Sequence, residues 1–304
     1  MSANASASVN IDPLPKSRRA SSSQRSWKLF ARYALLSVLA LIILFPIYIT
    51  VVNSLLTRQQ ITANPPKIFP TNPIWDTYSR AWQDGHLGLY LKNSFIVTMI
   101  IVVGQIVTAT LSAYAFAFLE FPFKRILFVV FLATLMIPFE VTIITNLTSV
   151  SPEGWINDAF GVTLYDTYAG LAIPFLATGF GAFLLRQSFM QLPKDLMDAA
   201  ALDGYGHLRF LARVVVPLSR PAIAALGVFA FLSAWNQYLW PFLVTSDDTH
   251  RTVQVGLRQL RNSNIDEINV TFAGVVIAII PLAILLLVFQ KQLVRGLTAG
   301  AVKG

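Results

Sequence analysis

Residues 33–52 read YALLSVLALIILFPIYITVV, twenty positions without one charged side chain. A helix rises about 1.5 Å per residue, so twenty residues cover the roughly 30 Å hydrocarbon core of a bilayer. A helix of a soluble domain buries one stripe and keeps charge on the other. This stretch has no polar stripe to offer water, so it predicts a membrane span.

The signature recurs outward from there, at about Leu91–Phe118, Ile126–Asn146, Tyr168–Phe189, Ala222–Val244 and Val270–Gln290. Three of these carry helix breakers: Pro138, Pro174 and the pair Gly179/Gly181. Membrane helices tolerate breakers where neighbouring helices re-satisfy the backbone. Composition agrees. The 304 residues are 55% apolar and 12% charged, against about 25% charged in soluble domains. The expected fold is all-α and polytopic, with six transmembrane helices over residues 33–291. A basic, Ser/Ala-rich cytoplasmic tail (1–32), expected to be disordered, precedes them, and a short cytoplasmic tail (292–304) follows. Without cysteine there is no disulfide, thiolate nucleophile or Cys-type zinc site.

The net charge of +8 raises the question of a nucleic-acid partner, and its placement argues against one. Six spans put both termini on one side. Sixteen of the 23 Lys and Arg then fall on that side, many of them in Lys16–Arg32 and in the 191–220 loop. Seven fall on the other: Arg58, Lys67, Arg80, Lys92, Arg251, Arg258 and Arg261. The positive-inside rule places both termini in the cytoplasm. An uncleaved first span fits better than a signal peptide, since no small-x-small cleavage site follows Val52. In the outer segment Asn53–Tyr90, the spacing of Trp75, Tyr78 and Trp82 predicts a short interfacial helix.

The longest internal cytoplasmic loop, 191–220, reads QLPKDLMDAAALDGYGHLRFLARVVVPLSR. Pro193 and Asp195 suit a helix start. A first short helix follows, with Leu196, Ala199, Ala200 and Leu202 available for one apolar side, and Asp203-Gly204 ends it. A second is expected over about Tyr205–Val214, with Leu208, Leu211 and Ala212 at helical spacing, before Pro217 and Pro221. Two short helices about a glycine elbow make a knob. Composition leaves open whether it docks on a partner or folds back on its own bundle.

Polar groups inside spans are functional candidates. Glu140 follows the breaker Pro138. Trp235, Asn236, Gln237 and Tyr238 combine amides with aromatic faces, which suit a polyol or sugar, while Trp240 and Pro241 read as an interfacial belt. Asn146, Asn93 and Gln105 are weaker candidates. Gly104, Ala109, Ser112 and Ala113 read as helix-packing positions. No G-x-x-x-x-G-K-[ST] loop, H-E-x-x-H or G-x-S-x-G is present, and His86, His207 and His250 are scattered. An ATP site or membrane hydrolase on this chain therefore has no support. No internal repeat marks a stand-alone secondary transporter.

Asp198-Ala199-Ala200, Asp203-Gly204, Phe210, Pro217 and Pro221 together resemble the EAA signature of ABC importer permeases. The segments TLMIPFEVTIITN, AWNQYLWPF and VRGLTAGAVKG are similar to the carbohydrate-uptake, maltose-permease-like branch. Within it, TLMIPFEV and WNQYLWPF most resemble the permease of the glycerol-3-phosphate (glycerophosphodiester) importer. The resemblance implies a non-catalytic type I importer subunit paired with a second permease. It also implies two cytoplasmic ATPase subunits that carry the ATP and Mg, and an extracytoplasmic solute-binding protein. Asp198, Ala199, Ala200, Asp203, Gly204, Phe210 and Pro217 would couple to the ATPase, with Asp198 one methylene shorter than the usual Glu. Glu140, Asn146 and Trp235–Tyr238 would line the pathway. A carboxylate such as Glu140 is a poor contact for phosphate, so a sugar or oligosaccharide remains the alternative solute.

Overall fold

The computed structural model describes residues 22–193, 195–263 and 267–298. All the regular elements among them are helices. Three helices are long and apolar enough to cross a bilayer unbroken, over Leu29–Ser54, Leu87–Phe118 and Ile268–Gln292. Three further spans are segmented, which makes the chain a six-span membrane protein.

The segment up to Ile49 forms a unit of its own. Its helix starts at Ser22, so the last part of the expected disordered tail is helical. Residues 1–21 lie outside the described residues. Leu35, Leu41, Ile43 and Phe45 are exposed along this helix, an arrangement that only lipid makes inexpensive.

In the second unit, Leu87–Phe118 is the central mast. It packs along Gly179–Phe189 and Arg220–Trp235, and the latter packs on Ile268–Thr298. The small residues on the mast permit this closeness. A Cβ at Gly104 would lie 2.5 Å from Leu176 Cδ2, and one at Gly181 would lie 3.0 Å from Ala109 Cβ. Close backbone approach replaces the hydrophobic drive that lipid cannot supply.

The breaks carry physical signatures. Around Ile137–Pro138 the chain turns by 91° between Lys124–Met136 and Phe139–Phe160. Around Leu176–Thr178 it turns by 51°. The carbonyls freed there are capped from the mast: Gln105 Nε2 donates to Phe175 O (2.8 Å), and Thr108 Oγ1 donates to Leu176 O (2.7 Å). Gln105 is thus a backbone cap. The expected fifth span, Ala222–Val244, is two helices, Arg220–Trp235 and Leu239–Val244, broken at Asn236–Tyr238.

The loop's second helix also differs from expectation. The chain stays helical from His207 to Leu218, through Pro217. Pro217 has no N–H, and its ring would press on the carbonyl four residues back. A π-turn over Leu211–Val215 opens the ladder just ahead of it, with Val216 N donating to Leu211 O. The chain then bends by 82° into Arg220–Trp235. Pro221 sits in that helix's first turn, where no N–H is missed. At the other terminus the last helix runs on to Thr298, into the stretch expected to be a tail, and residues 299–304 lie outside the described residues.

The mast has two distinct ends. Its Tyr114–Phe118 end packs with Phe189, Ala200, Phe210 and Val215, so the 191–220 loop gathers there. Its Leu87–Tyr90 end packs with Ala81, Trp235, Val253 and Leu260. A 32-residue helix separates the ends by roughly 48 Å.

Candidate functional site

The knob is built on Asp195–Leu202 and His207–Phe210. Tyr205 N donates to Ala200 O (2.8 Å) and Gly204 N to Ala201 O (3.0 Å), the paired bonds of a Schellman cap. Gly204 takes φ +73°, and a Cβ there would meet nothing within 4 Å. Conformation, not space, calls for glycine at this elbow.

Two of the expected coupling residues face inward. Ala200 is 7% exposed and Phe210 3%. Phe210 meets Tyr114 and Phe118 edge-on, at ring-centroid distances of 6.4 and 5.6 Å. Tyr114 Oη and His207 Nδ1 are hydrogen-bonded at 2.8 Å. These contacts clamp the knob to the mast. Asp198, Ala199, Asp203 and Gly204 are exposed and Pro217 is half-buried. The apolar positions read from spacing divide between two faces. Ala200 and Leu211 are buried, whereas Leu202 is 90% exposed and Leu208 76%. Ala199 and Ala212 also face out. The knob therefore presents an outward apolar face in addition to the one it packs on its own bundle.

The expected pathway residues scatter. Glu140 is exposed in the first turn of Phe139–Val150, just past the 91° bend. Asn146 is half-buried and donates to Thr142 Oγ1 (3.3 Å). Trp235 is 2% exposed, stacks on Phe231 and donates to Ala278 O (3.3 Å). It belongs to the packed core rather than to an open surface. Trp240 is no belt residue either, since it is buried and donates to Gly170 O (3.1 Å). Asn236 ends its helix by donating to Leu232 O (2.8 Å). Half-buried Gln237 keeps an enclosed Oε1 without a partner. Phe139 and Trp240 meet edge-on at 5.6 Å, which ties the Glu140 segment to the Tyr238 segment.

Tyr238 is the member that touches the wall of a cavity, through Phe242 and Arg258. It stacks on Phe242 at 5.6 Å, and its hydroxyl accepts a hydrogen bond from Arg258. The Arg258 guanidinium lies over the Phe242 ring at 4.4 Å. The cavity is about 310 Å³, lined by Phe242, Thr245, Arg251, Val255, Arg258, Gln259 and Asn262. Arg251 donates to Asp248 Oδ1 (2.5 Å), Gln259 Oε1 (2.9 Å) and Ser246 O (2.8 Å). Burial raises the Asp248 carboxyl pKa, but the Tyr90 hydroxyl and the Arg251 guanidinium outweigh it and hold the pKa below the ordinary value. Asn93, fully buried on the mast, donates to Thr249 O (2.9 Å) and Arg251 O (3.0 Å) and accepts from the Tyr168 hydroxyl (2.8 Å).

Residues 94–299 match the family described as "Binding-protein-dependent transport system inner membrane component". The chain belongs to that family. Curated relatives of this permease include the "sn-glycerol-3-phosphate transport system permease protein UgpE" of Yersinia pestis bv. Antiqua (strain Antiqua). It is 36% identical over 273 residues, 87% of this chain and 94% of the relative. The protein of the same name from Brucella abortus (strain 2308) is 37% identical over 266 residues, covering 84% of this chain and 91% of the relative. Among solved structures, a chain of a bacterial ABC transporter involved in the import of the acidic polysaccharide alginate superposes with a TM-score of 0.74. The two are 23% identical, covering 90% of this permease and 99% of that chain, which is likeness of fold.

The Arg258 cavity is what sequence reading missed, and Asn93, read there as a weaker pathway candidate, is a buried hub that holds backbone. Val253, Gly256 and Leu260 are buried at helical spacing in Val253–Ser263, which leaves Arg258, Gln259 and Asn262 exposed. That periodicity was the available signal.

Proposed function

We propose that this permease pairs with a second permease to import sn-glycerol-3-phosphate or a related glycerophosphodiester, driven by two cytoplasmic ATPase subunits. The observation that carries this reading is identity of about 36% across nearly the whole chain to relatives named for that solute. In this reading both termini and the knob face the cytoplasm, because the basic residues crowd that end. An extracytoplasmic binding protein delivers solute to the opposite end. ATP and Mg belong to the ATPase subunits, and this chain carries no catalytic group.

The geometry supplies a transmission. ATP binding closes the ATPase dimer and draws the two knobs together. Phe210 and Ala200 hold this knob on the mast, so its displacement moves the mast as a rigid body. The far end of the mast carries Asn93, which grips the backbone at Thr249 and Arg251. One helix thus joins the knob to the segment that shapes the Arg258 cavity.

The test is uptake by the reconstituted importer. Glycerol 3-phosphate enters only with ATP and the partner subunits. Gly204→Asp or Ala200→Phe abolishes uptake and solute-stimulated ATP hydrolysis while membrane insertion persists. Transport by this chain alone, or uptake of an oligosaccharide in place of the phosphate ester, overturns the proposal.

A further inference from the structure

We propose that the cavity beside Tyr238 is an anion subsite, with Arg258 as the residue that takes the phosphate of the transported solute. This deepens the solute reading above and rests on it. Four charged residues in the region settle the local charge. Arg251 is matched by Asp248 and spends its other donors on Ser246 O and Gln259. Asp247, whose Oδ1 accepts from the Thr249 amide at 2.7 Å, keeps its charge but does not line the cavity. Arg258 makes no ion pair among the described residues; its polar contact is the Tyr238 hydroxyl. Of the two cations that line the cavity, Arg258 is therefore the one without a carboxylate partner among the described residues.

The mounting of that charge points to a ligand. Phe242 supports one face of the guanidinium at 4.4 Å, with the Tyr238 ring at 5.6 Å. A planar fork fixed by stacking keeps its edge N–H groups in plane for two parallel bonds to phosphate. A flexible lysine at this position would have to be ordered by the ligand itself. Thr245, Gln259 and Asn262 add neutral hydrogen-bonding groups suited to glycerol hydroxyls. A volume of about 310 Å³ lies at the small end of ligand pockets and suits a three-carbon phosphate better than an oligosaccharide. The site also resolves the difficulty with Glu140. That carboxylate, unsuited to phosphate, does not line this cavity.

Two measurements test the proposal. In the first, the full-length chain in maltoside detergent is modified with phenylglyoxal, and the rate at Arg258 is read by peptide mass spectrometry. Glycerol 3-phosphate slows modification at least about fivefold, inorganic phosphate slows it less, and glycerol has no effect. In the second, the assembled importer carries Arg258→Gln or Arg258→Lys. Loss of a charge-assisted contact raises KM for glycerol 3-phosphate about tenfold or more in R258Q with kcat preserved, and R258K recovers part of it. Modification unaffected by every probe, or an unchanged KM in R258Q, overturns the subsite. So does equal protection by inorganic phosphate and glycerol 3-phosphate together with an unchanged KM. An importer that ignores glycerol 3-phosphate while phosphate still protects Arg258 refutes the solute reading and leaves the anion site standing. Wild-type uptake without protection refutes the site alone.

Discussion

Replacing Leu202 and Leu208 by serine separates a docking knob from a knob that merely folds back. Their exposures of 90% and 76% mean that neither leucine contributes packing within this chain. Burying a leucine fully is worth about 1.5–3 kcal/mol. If each is covered by the ATPase subunit, each serine substitution forfeits about 2 kcal/mol of docking, or roughly 30-fold in affinity. The double substitution then costs on the order of a thousandfold. The same changes leave the stability of the isolated chain within about 0.5 kcal/mol, because exposed positions outside structural features rarely do more. Ala200→Phe is the contrasting control. Ala200 is enclosed with Phe210 and Leu211, so overpacking there loosens the knob itself by about 1–3 kcal/mol. The assay pairs biolayer interferometry, with the cognate ATPase subunit on the sensor, with thermal unfolding of the same detergent-solubilised chains. Wild-type affinity in the Leu→Ser pair refutes the outward face as a docking surface. A fall in unfolding temperature refutes its exposure.

Three further outcomes follow from the opposite end. Asn93→Leu strands two carbonyls and the Tyr168 hydroxyl, at about 1–3 kcal/mol each; hydrogen exchange in 246–262 rises sharply while exchange in the knob does not. Gly256→Ala drives a Cβ to 2.1 Å from the buried Tyr90 ring, lowering the unfolding temperature, and Tyr90→Leu restores part of the loss because the clash is with that ring. For Asp248, whose carboxyl is depressed below its ordinary 3.8, the contribution is complete above that value and disappears as pH falls through the lower folded pKa. Exchange protection of 246–251 is therefore flat from pH 8 to 5 and drops only in stronger acid, and a loss near neutrality would contradict the Arg251 and Tyr90 contacts.

Hydropathy made the six-span architecture readable because lipid removes the polar stripe that a soluble helix needs. The same quantity hides the joints. Residues 222–244 are apolar on both sides of Asn236–Tyr238, so a window sum passes over a break that the backbone does not ignore. The break at Pro138 was legible from its breaker, and the one at Leu176–Thr178 from Pro174 and Gly179 on either side of it. Repair of the second break by Gln105 and Thr108 was not, since those residues precede Phe175 and Leu176 by about seventy positions.

The knob shows a different limit. A helix of eight residues makes little more than two turns, and DLMDAAAL has small or apolar residues on nearly every side. Spacing can show that an apolar face exists; it cannot tell the face a helix spends on its own bundle from the face it keeps for something else. Only the packing of Ala200 under Phe210 and the exposure of Leu202 separate the two. Arg258 was obscured for the converse reason. Counted with the other outer cations, it served as evidence of topology. Topology needs only the sign of a charge, whereas a binding site needs to know whether that charge is already matched. Arg251 and Arg258 are indistinguishable by sign. One is spent on Asp248 and the other is not, and that difference makes the cavity a candidate for an anion.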